Sequence, residues 1–198
     1  KEAIDAGKLG DIISINATRV SSYPDRIRDV GVVKDLAIHD IDVLRYVTSS
    51  EVQTVYAAGG SMKCAQYEDH ANILMTLGDS IHATVDVNWL TPRKVRELSI
   101  TSSRGFAVID YMEQSVRFST SRSRLVDESD LSRMQMELAV HEILVKKEEP
   151  LKRELEAFLH AAETSTRAPV DGWDALANLK VCDAALRSLM SGLRVEPK

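Results

Sequence analysis

Asp35 and His39 lie four residues apart in the segment Gly31-Val-Val-Lys-Asp-Leu-Ala-Ile-His-Asp-Ile-Asp42. An imidazole titrates near neutrality, so it can take a proton from a hydroxyl and return it. A carboxylate one helical turn earlier can touch or orient the ring and stabilise the imidazolium, because side chains at i and i+4 stack on one helix face. At about 100° per residue, Asp35, His39, Asp42 and Tyr46 share a narrow arc. Leu36, Ala37, Ile41, Leu44 and Val47 fall mostly on the other side and predict the core face. Asp40 falls toward that apolar side, where the pattern offers it no role. Spacing alone leaves two readings open, an acid/base pair or an amphipathic helix whose wet face happens to carry these groups.

The elements that must position this helix follow from periodicity and punctuation. Lys1–Ala6 reads as the tail of a helix ended by Gly7, and Ile-rich Asp11–Val20 as a strand. The Asp–His helix runs from about Lys34 to Val47. Extended segments then recur at Val52–Ala58, Asp69–Leu77, Ser80–Leu90, Val95–Thr101, Phe106–Tyr111 and Ser115–Thr120, separated by turn signals such as Gly78-Asp79 and Thr91-Pro92. Within Ser80–Leu90, Ile81, Ala83, Val85, Val87 and Trp89 share one face, and His82, Thr84, Asp86 and Asn88 the other. Ser119–Gln135 reads as a polar loop and Met136–Val145 as one more strand. Two helices close the chain. Pro150 opens the first, which carries a Leu151, Leu155, Phe158, Leu159 stripe; Asp171 caps the second, Gly172 to Ser191. This order predicts an α+β fold, an open and mainly antiparallel sheet with helices on one face, and the bare face is a ready homodimer surface.

Composition narrows the function classes. A chain of 198 residues with net charge −5 and no basic run gives no reason to expect a nucleic-acid partner. No apolar run approaches the ~20 residues that span a bilayer, so no membrane partner is expected. Cys64 and Cys182 are far apart and read as reduced thiols in a cytoplasmic protein. Glu68-Asp69-His70 is adjacent rather than clustered, and neighbours on a strand point to opposite faces, so no metal is expected.

The Gly31–Asp42 segment resembles the second-domain signature of the glucose–fructose oxidoreductase / inositol dehydrogenase / MocA family. Glu2-Ala3-Ile4 with Gly7-Lys8-Leu9-Gly10-Asp11-Ile12, Glu149-Pro150-Leu151 with Phe158, and Ala184-Ala185-Leu186-Arg187-Ser188 are similar to further family segments, in the same order. The resemblance implies that residues 1–198 form the C-terminal substrate-binding and dimerisation domain of a two-part protein. It also implies that NAD or NADP is bound mainly by an N-terminal Rossmann domain. The G-x-G-x-x-G turn of such a domain and the family's Glu-Lys-Pro motif are absent here. The isolated chain is therefore expected to be inactive. By the resemblance, His39 is the general base, Asp35 its partner acid, and the substrate a sugar or cyclitol hydroxyl. The segments around Arg19, Tyr23, Arg26 and Arg28, and around Lys94 and Arg96, are similar to UDP-N-acetylglucosamine 3-dehydrogenases, which implies that these side chains meet a nucleotide sugar. Alternatives are an inositol or monosaccharide dehydrogenase, a non-catalytic sugar-binding or dimerisation module, and a biliverdin- or dihydrodipicolinate-reductase-like protein.

Overall fold

The computed structural model describes the chain except residues 25, 26, 28, 64, 65 and 126–133, and the side chains of residues 122–125 and 134–137. A short helix α1 (Glu2–Asp5) leads into β1 (Ile12–Ser22). A π-helical turn (Val33–Ala37) then runs directly into α2 (Ile38–Thr48). Seven strands follow: β2 (Val52–Gly60), β3 (His70–Leu77), β4 (Ile81–Asn88), β5 (Leu90–Ser102), β6 (Gly105–Asp110), β7 (Ser115–Leu125) and β8 (Met134–Ile143). The helices α3 (Pro150–Thr164) and α4 (Gly172–Ser191) complete the fold.

All eight strands form one sheet in the order β2-β3-β4-β1-β5-β6-β7-β8. The expected α+β class and the open, mainly antiparallel sheet are both present. One feature is invisible to periodicity: β1 inserts between β4 and β5 and runs parallel to β4, pairing Ala17 with Val85 and Arg19 with Val87. A parallel partner needs a crossover, and α2 with the β2–β3 hairpin supplies it. The first strand thereby becomes central, and its residues 15, 17 and 19 point inward under the helices.

Two boundaries differ from expectation. Thr91-Pro92 does not end a strand; β5 passes through it, and a bulge between the Val20–Val95 and Ser22–Leu90 pairs absorbs the proline that cannot donate to the ladder. Nor is the whole of Ser119–Gln135 a loop. β7 continues to Leu125 and pairs with β8 from Met134, so hydrophilic composition hid a ladder whose bonds are all backbone.

The core lies on one face of the sheet. Ile15, Ala83, Val85, Val87 and Ile73 pack beneath Val33, Leu36, Ala37, Ile41, Leu44 and Val47 of the π turn and α2, and against Val181, Cys182 and Ala185 of α4. Cys182 is buried there, and burial pushes its thiol up to about 12, a packing residue rather than a nucleophile. α4 is held by a reciprocal capping box between Asp171 and Asp174 and ends on Gly192 in the left-handed region. α3 departs from the amphipathic expectation. Its apolar stripe exists, but Leu151, Leu155, Phe158 and Leu159 are all exposed, and Ala161 is its only buried residue.

Candidate functional site

The helix that carries Asp35 and His39 begins just after Gly31, against the loop that precedes β3. Glu68 satisfies two of the backbone donors that a helix start leaves open: its carbonyl accepts from Val32 N at 3.0 Å and its carboxylate from Val33 N at 3.1 Å. A Cβ at position 31 would overlap that carboxylate, which is why glycine stands there. Gly31→Ala is expected to displace Glu68 and destabilise the protein by about 1–2 kcal/mol, read as a lower urea midpoint at unchanged slope.

Asp40, unexplained by the sequence pattern, is the polar keystone of the helix. It is 1% exposed, and its carboxylate takes the Arg19 guanidinium in a fork, with Nε donating at 2.7 Å and Nη2 at 2.9 Å. Arg19 is itself only 8% exposed and lies over the Tyr111 ring, 5.8 Å from its centroid. Tyr111 has a buried hydroxyl with no hydrogen-bond partner among the described residues, and burial chiefly pushes its phenol up to about 12. The pattern marks each residue as inward without pairing them: Arg19 shares strand parity with the inward Ile15 and Ala17, and Asp40 shares the helix face of Leu36 and Leu44. A buried cation and a buried anion on facing elements imply each other.

His39 stands on α2 open to solvent on one side and partly enclosed by protein on the other. It follows a π turn, a wide turn closed by i→i+5 bonds that often marks functional sites. The junction changes the simple i,i+4 picture. Among the described residues no hydrogen bond joins Asp35 to His39; Asp35 acts on the ring through its charge. Partial burial first, and the Arg19 guanidinium second, hold the imidazole below its ordinary range, with Arg96 adding to the effect and Asp40 and Asp35 opposing it. The free-base form therefore prevails at neutral pH, as a proton acceptor requires.

Arg96 sits directly opposite Arg19 in the β1–β5 register. It is half-buried, and its guanidinium has no hydrogen-bond or ion-pair partner among the described residues. Burial, then the like charge of Arg19, disfavour its cation, while Asp40 and Asp35 favour it. Arg19, Arg96 and Tyr111 line a cavity of about 430 Å³ that extends toward Gln114 and Lys146. The structure thus gathers His39, Asp35, Arg19 and Arg96 into one charged neighbourhood and adds Asp40 and Tyr111 to it.

The other candidates that are described make different contacts. Tyr23 packs edge-on against Trp89 at 5.5 Å, and Trp89 is 2% exposed, a core residue. Lys94 is exposed within the β5 bulge. Arg26 and Arg28 lie outside the described residues, as does Cys64. Asp42 turns to α4, where its carboxylate accepts from Asn178 Nδ2 at 2.8 Å. Glu68, Asp69 and His70 are spent on structure: Asp69 is fully buried and accepts from Met62 N and Lys63 N, and it holds His70 at 2.9 Å. No metal-binding cluster occurs among the described residues, and none of their helices is long and apolar enough to cross a membrane.

Residues 1–108 match the sequence model of the GFO/IDH/MocA C-terminal domain, and the chain belongs to that family. It is 25% identical over 210 residues to the uncharacterized oxidoreductase YrbE of Bacillus subtilis (strain 168), covering 98% of this chain and 58% of that protein. The chain thus spans under two thirds of that relative's length. UDP-N-acetylglucosamine 3-dehydrogenase GnnA from Acidithiobacillus ferrooxidans superposes with a TM-score of 0.74 at 22% identity, over 96% of this chain and 57% of that one. Levoglucosan dehydrogenase in complex with NADH superposes with a TM-score of 0.79 at 15% identity, over all of this chain and 62% of that one. At these identities the two structures speak to the fold alone.

Proposed function

We propose that this domain is the substrate half of an NAD(P)-dependent oxidoreductase that oxidises a hydroxyl of a sugar or nucleotide sugar, of the UDP-N-acetylglucosamine kind, with His39 as general base. The observation that carries the reading is the accessible, neutral-biased imidazole at a π/α junction, beside Asp35 and an Arg96 that has no partner among the described residues. Family membership supports the reaction class, and the greater length of the relative leaves room for a separate dinucleotide-binding domain, which we place N-terminal to this one.

The residues here fit the substrate side of such a reaction. They offer a proton acceptor and cations, and the sequence holds no Gly-rich phosphate turn. A bound nicotinamide supplies acceptance of the carbinol hydrogen as hydride. His39 receives the hydroxyl proton as the carbonyl forms, and Asp35 stabilises the resulting imidazolium through space. Arg96 orients an oxygen-rich or phosphorylated part of the substrate, with Tyr23, Lys94, Arg26 and Arg28 as outer contacts and Arg19 behind them. Incubating the complete two-domain protein with NAD or NADP and candidate sugars tests this. Growth of reduced-nicotinamide absorbance with a sugar or nucleotide sugar is the expected result; none with any such substrate, although the cofactor binds, would favour the non-catalytic module.

The uncovered sheet face supports homo-oligomerisation as part of the same proposal. Tyr56, Leu74 and Phe106 stand exposed on it, and Tyr56 and Leu74 are cross-strand neighbours. A two-fold dimer would bury this patch against its own copy. Leu74→Glu is then expected to convert a dimer to monomer in sedimentation, without loss of helix or strand signal in circular dichroism.

A further inference from the structure

The buried Asp40–Arg19 pair adjoins the proposed base, and the scheme above gives Asp40 no task. Arg19 has the charge and the cavity lining of a substrate-binding arginine, although it is buried. Its guanidinium is nevertheless committed: Nε and Nη2 both go to Asp40, and its face lies against Tyr111. Arg96, across the ladder from it, has the opposite character, with no partner among the described residues. Two adjacent arginines have thus been given different jobs, and Asp40 decides which is which.

We propose that Asp40 and Arg19 are positioning residues for His39: their buried ion pair clamps the base helix to β1, sets the charge beside the imidazole, and leaves Arg96 as the guanidinium that meets the substrate. The clamp joins residues on facing elements, the one directly after His39 in the chain and the other on a central strand of the sheet. The charged groups acting on the ring are Arg19 from β1, Arg96 from β5, Asp35 from the π turn and Asp40 from α2 itself. With His39 neutral these four sum to no formal charge, though their effects on the ring are unequal, and removing Asp40 alone leaves a net positive charge that opposes imidazolium formation.

The idea rests on His39 being the base, and the test separates the two. His39 is followed by NMR titration of its ring in the chain, assigned by the resonance lost in His39→Gln. Asp40→Asn is expected to lower its midpoint by about 0.5–1 pH unit, and Asp40→Glu to restore it. Should Asp40→Asn not fold, Arg19→Gln/Asp40→Asn, which buries no lone charge, carries the test: its midpoint must lie above that of the wild type, because the repulsion from Arg19 outweighs the attraction of Asp40. An unmoved midpoint in whichever variant folds overturns the proposal. The readout needs no turnover, so a shifted midpoint in a protein without dehydrogenase activity would keep the clamp and sink the catalytic reading. In an active two-domain protein, Arg96→Met should raise KM at least tenfold with kcat little changed. A rise in KM for Arg19→Lys but not for Arg96→Met would reverse the assignment.

Discussion

His39→Ala is expected to lower the turnover of the complete oxidoreductase by about 10²–10⁴-fold, the span that a positioned general base supplies, while leaving nicotinamide binding unchanged. The effect should fall on kcat and on kcat/KM alike, because proton acceptance belongs to the transition state. The pH profile gives a second signature. Partial burial and Arg19 disfavour the imidazolium, so the wild-type protein should keep its base form, and its rate, below the ordinary imidazole range near pH ~6.5. Activity is then lost only as pH falls through the lowered value, and the residual rate of His39→Ala should lack that acid limb. The exposed position of His39 makes the replacement structurally mild, so thermal unfolding should hardly change. Near-normal turnover in a folded variant would remove His39 from its role.

The second large effect is on stability. Arg19→Met leaves the Asp40 carboxylate in the core with both of its fork partners gone. Breaking one side of a buried ion pair costs about 3–5 kcal/mol, whereas replacing both sides with apolar groups of similar volume is often neutral or stabilising. Arg19→Met is therefore expected to lose that amount in urea unfolding, and Arg19→Met/Asp40→Leu to recover most of it. The recovered double variant should still be catalytically impaired, since the base would sit in a changed field. That contrast separates the pair's contribution to folding from its contribution to the site. If Arg19→Met alone were as stable as the wild type, the pair would not hold α2 to the sheet.

Particular residues show how far the sequence could be read. The alternation of Ala83, Val85 and Val87 in β4 became a buried face as expected, because a strand with one covered side writes a period of two into its sequence. The core face of α2 was legible for the same reason at a helical period. Asp40 was not, because an acid among apolar positions is intelligible only once its partner is known, and that partner is 21 residues away on another element. Thr91-Pro92 misled because proline usually ends a strand, and here a bulge took it in. The stripe of α3 was correctly seen as apolar, yet it lies uncovered: amphipathicity states that a face can be buried and says nothing of what covers it.

By itself the sequence determined the class of fold, most element positions, and the Asp35–His39 segment with its likeness to a family, since all of these rest on local periodicity, capping and motif order. Only the tertiary structure decided that β1 lies parallel to β4 at the centre of the sheet, that Asp40 captures Arg19, and that Arg96, facing Arg19, has no such partner among the described residues. Those outcomes come from pairing between distant elements, where desolvated charges must find each other across the core. No pattern confined to one segment records which partner they find.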